Sequence, residues 1–347
     1  MIYSIVYNGM ISYLTTNEYK KQLLCVGLGL FAALVLSAFD YRKFAKLWFL
    51  YAPPCLILSL LLFTPLGFGR DGSANINWLD LGFVSIQPSE FLKLAFILTF
   101  SYHLSKVEGR VNQPIHLFLL LLHAAVPIGI IFLQNDYGTA IVFTVMFIIM
   151  IYSAGLSWKY IATAVIAAPV MFVLMWFFVL KPHHKNRILV LFNPDMDTTA
   201  GDQQAAGKIA LGSGQIFGKG IKDGDYFYVP DAHNDFIFSW VGQTLGFVGC
   251  MLLVGVLCYI CLKILANSRI ARDPLGKYIC MGVFALLIVH CIINIGMVLG
   301  VMPVIGVPLP FVSDGGTAMV GMWVAVGFAM STYSHSDKGY AVFYDKK

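Results

Sequence analysis

Long apolar runs separated by short polar stretches set the pattern of this chain. They fall at residues 22–39, 47–66, 89–105, 114–133, 137–154, 157–180, 236–266, 277–302 and 316–334. About 20 apolar residues carry an α-helix across a bilayer. The runs are continuously apolar and do not alternate, so helices are expected and not the strands of a membrane barrel. The pattern predicts an all-α polytopic membrane protein with nine transmembrane helices, in a single membrane domain over residues 1–347. One large polar loop, residues 181–235, interrupts it. Residues 1–14 are moderately apolar but too short to span, and without Lys or Arg they lack the basic start of a signal peptide.

Composition agrees with this. Of 347 residues, 59% are hydrophobic and 12% charged, whereas a soluble domain carries about 25% charged residues. The net charge of +5 does not mark a nucleic-acid binder, because the bases are scattered between apolar runs and form no stripe. All seven cysteines lie in apolar stretches. Cys258 and Cys261 form a C-x-x-C inside a span without a second pair, so the cysteines read as small buried hydrophobes and imply no disulfide framework.

Charge also sets orientation. One set of loops holds Arg42, Lys43, Lys46, Lys106, Arg110, Lys159, Arg269, Arg272, Lys277, Lys338, Lys346 and Lys347, twelve bases; the short loops opposite hold three, Lys20, Lys21 and Arg70. The richer side is expected in the cytoplasm, which puts the C-terminus inside and the loop 181–235 outside. Nine spans then leave the N-terminus outside, and a missing first helix ending within residues 1–14 would repair this.

Polar groups within apolar surroundings ask for a reason, since a charge at the centre of a span costs about 2.5–3.5 kcal/mol on insertion scales. In Gln87-Pro88-Ser89-Glu90-Phe91-Leu92-Lys93, the proline reads as a helix start, and Glu90 and Lys93 share a face. They either pair internally or line a polar cavity in which Lys93 meets an anion. In Gln134-Asn135-Asp136-Tyr137-Gly138-Thr139, Asp136 either caps the next helix or faces a ligand. Residues 303–316, with Pro308, Pro310, Asp314, Gly315 and Gly316, read as a re-entrant turn or a structural one.

The loop 181–235 itself has about 55 residues, far beyond the about 12–15 that connections without structure normally reach. It carries apolar positions 188–192, a glycine-rich run and the aromatics Tyr226-Phe227-Tyr228, so it should fold. The run Gly212-Ser213-Gly214-Gln215-Ile216-Phe217-Gly218-Lys219-Gly220 misses the spacing of a phosphate-binding loop. His183, His184 and His233 match no metal-ligand spacing. Asp235 closes the loop at the mouth of the following span, either as a helix cap or as a general base at the membrane interface.

Taken in order, residues 87–93, 134–139, 187–194, 208–220, 230–249 and 306–316 resemble the SEDS family (shape, elongation, division and sporulation), the RodA- and FtsW-type peptidoglycan glycosyltransferases, over essentially the whole chain. The stretch 208–220 leans towards the RodA branch. The resemblance implies ten spans with both termini inside, and hence that the family's first helix ends here at Ile2-Tyr3-Ser4. It implies polymerisation of lipid II, a disaccharide-pentapeptide on undecaprenyl diphosphate, in the cell membrane of a bacterium. The resemblance implies that Asp235, within Pro230-Asp231-Ala232-His233-Asn234-Asp235-Phe236-Ile237-Phe238, matches the family's catalytic acidic residue.

The chemistry is coherent. A sugar hydroxyl needs a base to become a nucleophile, while a diphosphate leaves readily once cations meet its charge. Lys93, Arg187, Lys208 and Arg70 are the candidate cations, and Glu90, Gln203, Asp136 and His233 complete the expected substrate contacts. A divalent cation, Mg or Mn, is the cofactor left open. The expected partners are the membrane and a class B penicillin-binding transpeptidase. Gln243, Thr244, Asp314, Asn77 and Ala206 depart from the family's usual residues. Two rival readings are a lipid-linked precursor transporter, from the intramembrane Glu90 and Lys93, and an inert scaffold for the transpeptidase, from the departures. No internal repeat relates residues 22–180 to 236–334, which counts against the transporter.

Overall fold

The computed structural model describes residues 1–9, 16–69, 75–80, 82, 85–193, 196, 198–222 and 224–336. Each of the nine apolar runs forms a helix: α2 (Thr16–Ala38), α4 (Trp48–Leu60), α5 (Pro88–Lys106), α6 (Pro114–Leu133), α7 (Tyr137–Ser153), α8 (Trp158–Phe178), α11 (Ile237–Ile270), α12 (Pro274–Leu299) and α13 (Gly316–Ser334). The short helix α1 (Ile2–Tyr7) precedes them, and α3 (Tyr41–Lys46), α9 (Pro182–Leu189) and α10 (Thr199–Ser213) lie between them, the last two inside the large loop.

Among the described residues, α2, α6, α8, α11 and α12 contain stretches long and apolar enough to cross a membrane unaided. α4, extended by the 3-10 turn Leu61–Phe63, and α7 are shorter apolar helices. Local chemistry fixes the starts. Pro88 and Pro114 occupy the first turns of α5 and α6, where a missing N–H costs nothing. Asp40 accepts from Arg42 N ahead of α3, and Asp273 accepts from Gly276 N at the head of α12.

The apolar pattern led to no expectation of strands, yet a small antiparallel sheet forms in order β1 (Gly67–Phe68), β2 (Trp78–Asp80), β3 (Ser85–Ile86). Its register pairs Gly67 with Leu79 and Leu79 with Ile86. Strands this short carry no periodicity to read; burial of Leu79 and the bond from Ile76 N to the carbonyl of Gln134 hold the sheet. Four cysteines, Cys250, Cys261, Cys280 and Cys291, are buried, Cys25 and Cys55 are half-buried, and Cys258 is exposed rather than buried, on an apolar helix.

The chain divides into two compact units. The first comprises Met1–Lys20, Leu156–Leu257 and His290–Asp314; the second comprises Lys21–Gly155, Cys258–Val289 and the segment from Gly315 onwards. The first unit is built on a core of Phe236, Ile237, Trp240, Val241, Met297 and Leu309. In the second, α5 packs against α4, α6, α7 and α13 and is buried along most of its length. α8 buries no side chain and is apolar all round, as a lipid-facing helix would be.

Candidate active site

The first unit is organised around a break in α11. Gly246 sits at φ +67°, ψ −167°, which interrupts the helical ladder. The glycine-rich run enters the gap and satisfies the freed groups. Lys219 N and Gly220 N donate to the carbonyls of Gln243 and Thr244, and Phe247 N and Val248 N donate to those of Gln215 and Ile216. Only glycine suits the crossing point, because a Cβ on Gly246 would lie 2.3 Å from Gly218 N. The run that missed the phosphate-loop spacing is thus a backbone plug for a membrane helix.

Gln243 locks the plug to the aromatic run. Its Oε1 accepts from Phe227 N at 2.6 Å, and its Nε2 donates to the carbonyl of Phe227 at 3.2 Å. Tyr226 rests on the buried Trp240, ring centroids 4.9 Å apart. The hydroxyl of Thr244 donates to the carbonyl of Trp240 at 2.8 Å.

Asp235 lies on the turn that leads into α11, half-buried. α11 begins at Ile237, which puts Phe236 in the cap position and Asp235 one residue ahead of it. The fully buried Asn294 of α12 donates from Nδ2 both to the carbonyl of Asp235 and to that of Val307, each at 2.8 Å. Ser313 Oγ donates to the carbonyl of Asn234 at 2.7 Å, and Asp314 N to that of His233 at 2.8 Å. Residues 300–314 therefore fold back against the Asp235 turn, and the backbone of Gly306 passes close to its carboxylate. A Cβ on Gly306, at φ +79°, would stand 3.2 Å from Asp235 Oδ2.

α10 brings further polar groups into this unit. Gln203 Nε2 donates to Asp231 Oδ2 at 3.1 Å, tying α10 to the Asp235 turn. Gln204, buried, donates to the carbonyls of Met297 and Met302 at the end of α12. Lys208 is exposed and lies against Gly300, just past α12, where a cation suits the helix dipole. Arg187 is half-buried in the last turn of α9. Beside it the rings of His183 and His184 lie in contact, tilted by 45°, centroids 3.8 Å apart. Burial first, then the charges of His183, Arg187 and Lys181, push His184 down to about 4. His233 is buried, and its Nε2 lies 3.3 Å from Asn234 Nδ2.

Glu90, Lys93 and Asp136 belong to the second unit. Lys93 Nζ and Glu90 Oε1 form a fully buried ion pair at 2.8 Å, with Gly321 of α13 alongside Glu90. Asp136 caps α7: it accepts from Thr139 N and Thr139 Oγ1, both at 3.0 Å, and from Asn77 Nδ2 at 3.3 Å. Arg70 lies outside the described residues, as do Pro194 and the C-terminal lysines used for orientation. Among the described residues no three His, Cys, Asp or Glu side chains gather to hold a metal ion.

Sequence reading passed over Asn294 and Gln204, and took Gly306 only as one end of the stretch 306–316. Asn294 left a visible trace, a lone amide inside an apolar run; the role of Gly306 left none, because it is a contact with a residue 71 positions earlier.

The comparisons with known proteins agree on one family. Residues 1–338 match the model of the cell cycle proteins named for FtsW, RodA and SpoVE. The peptidoglycan glycosyltransferase MrdB of Escherichia coli K12 is 29% identical over 343 residues, covering 95% of this chain and 90% of that protein. A probable peptidoglycan glycosyltransferase FtsW of Geobacter metallireducens is 32% identical over 323 residues, covering 90% and 84%. Among solved structures, a chain from work on structural coordination of polymerization and crosslinking by a peptidoglycan synthase complex superposes with a TM-score of 0.79 at 24% identity, covering 95% of this chain and 92% of that one. The Thermus thermophilus rod shape determining protein RodA superposes with a TM-score of 0.69 at 22% identity, covering 97% and 95%. These two likenesses establish the fold.

Proposed function

Because this chain belongs to the FtsW, RodA and SpoVE family of cell cycle proteins and is a multi-pass membrane protein, we propose that it is a peptidoglycan glycosyltransferase that polymerises lipid II. The observation that carries the reading is the seat of Asp235: a carboxylate on a turn pinned by Asn294 and Ser313, with glycine backbone passing beside it.

Asp235 acts as general base. It takes the proton of an acceptor sugar hydroxyl as that oxygen attacks the anomeric carbon of the donor, and undecaprenyl diphosphate leaves with the bonding pair. One carboxylate suffices because the diphosphate needs no protonation to depart, in contrast to the paired carboxylates of glycosidases. A single displacement inverts the anomeric centre. Lys208 and Arg187 of the first unit meet charge developing on the diphosphate. Gln203 and His233 hold the Asp235 turn, and Glu90 orients Lys93. The loop 181–235 lies outside and the C-terminus in the cytoplasm, as the charge bias requires. A class B penicillin-binding transpeptidase is the partner, in keeping with a likeness to a chain studied within a peptidoglycan synthase complex.

The test is polymerisation of lipid II by Asp235→Asn, which keeps the shape and removes the base. The expected loss is about 100-fold or more, the usual worth of a positioned base. Glycan made at the wild-type rate would sink the assignment. None of the structural observations favours the transporter or the inert scaffold. Gln243 and Thr244, two of the departures behind the scaffold reading, hold backbone in the first unit through their side chains.

A further inference from the structure

Within the second unit, a cavity of about 470 Å³ opens between α4, α5 and α6. Its long wall is apolar, with Trp48, Leu56, Leu92, Phe96, Val126 and Pro127. Its polar groups gather along the last turns of α5, at Thr99, Tyr102, His103 and Lys106, with His123 across from them on α6. Leu92 and Lys106 are separated by about 21 Å of helix, and the hydrocarbon of one leaflet is about 15 Å deep. The walls therefore suit one acyl chain with a headgroup at the Lys106 end.

The hydrogen bonds fix what the polar end offers. The hydroxyl of Thr99 donates to the carbonyl of Ala95 at 2.8 Å. Its 3.1 Å contact with His123 Nε2 must then be donated by the imidazole. A neutral imidazole has one N–H, so His123 Nδ1 is an acceptor. The 3.1 Å contact between the two Nδ1 atoms is donated by His103. That leaves Nε2 of His103 as an acceptor, on a side chain that lines the cavity. One turn on, along the same helix face, the exposed Lys106 holds its ammonium 5.1 Å from the centre of the Tyr102 ring.

We propose that this cavity binds a phospholipid whose headgroup carries both a phosphate and a hydroxyl, phosphatidylglycerol. The acyl chain lies along the apolar wall, the phosphate pairs with Lys106, and a headgroup hydroxyl donates to His103 Nε2. A zwitterionic lipid ending in an ammonium meets Lys106 with like charge. A polyprenyl monophosphate satisfies Lys106 but brings no hydroxyl for His103.

Native mass spectrometry of the full chain, released from nanodiscs holding equal phosphatidylglycerol and phosphatidylethanolamine, tests this. The wild type is expected to retain one phosphatidylglycerol in preference. Lys106→Gln and His103→Phe should each lower its retention, Lys106→Gln by about tenfold, the usual worth of a hydrogen bond to a charged group. Ala52→Phe, which fills the cavity, should abolish it. Lys106 is exposed, so its variant keeps the test valid if the filled cavity disturbs folding. Equal retention of both lipids by the wild type, unchanged retention by Lys106→Gln, or displacement of phosphatidylglycerol by equimolar undecaprenyl phosphate would each overturn the proposal.

Discussion

Gln243 spends both ends of its side-chain amide on Phe227, accepting from its N–H and donating to its carbonyl, while fully buried. A carboxylate there could accept but not donate, and two acceptors would face each other out of water. Gln243→Glu is therefore expected to destabilise the protein by about 1–3 kcal/mol, the cost of an unmade buried hydrogen bond. Thermal unfolding in detergent reads this as a lowered midpoint; an unchanged midpoint would show that the amide does not hold the aromatic run. His184 is sensitive to pH for a related reason. Burial, then neighbouring positive charge, lowers it from 6.5 to about 4. Between these values the unfolded chain binds a proton that the folded one refuses, so stability should fall as pH drops from 6.5 towards 4 and level off below. His184→Phe should flatten that slope in unfolding measured across the window. Asp235 was legible as a candidate because the motif around it is local in sequence. Asn294 and Gly306 were not, because their roles arise only when α12 and residues 300–314 fold back on the Asp235 turn.

At the scale of elements, the nine apolar runs translate directly into helices because hydrophobic length is all that a span requires. What the runs conceal is the interruption. α11 reads as one long apolar stretch, yet Gly246 breaks it and the glycine-rich run repairs the ladder from outside. An alanine at position 246 would need a left-handed backbone and would meet Gly218 N. Gly246→Ala is expected to eject the plug. Hydrogen exchange at the amides of Lys219, Gly220, Phe247 and Val248 should then rise well above wild type, while amides in α12 stay protected. Uniform exchange across these segments would mean that the break and the plug are not coupled. The small sheet β1–β3 was invisible for the opposite reason: its strands, two or three residues long, are too short to show a period.

At the scale of the whole molecule, orientation rests on twelve bases against three in the short loops. An impermeant maleimide should label Phe217→Cys, exposed in the large loop, in intact cells, but reach Lys43→Cys only after permeabilisation. The reverse order would invert the proposed topology. By itself the sequence determined which segments form apolar helices, that the large loop folds, and through its ordered motifs which family it resembles. Those properties depend on apolar length, on charge counts and on residues adjacent in the chain. Tertiary structure alone decided which contacts each polar residue makes. Asp136 caps a helix because Thr139 and Asn77 surround it, and Glu90 pairs with Lys93 because no water reaches them. Asp235 stands ahead of its helix, beside glycine backbone that returns from the other side of α12. The contacts of Asn77 with Asp136 and of Gly306 with Asp235 join positions far apart in the chain, and such a contact exists only once the chain has closed around it.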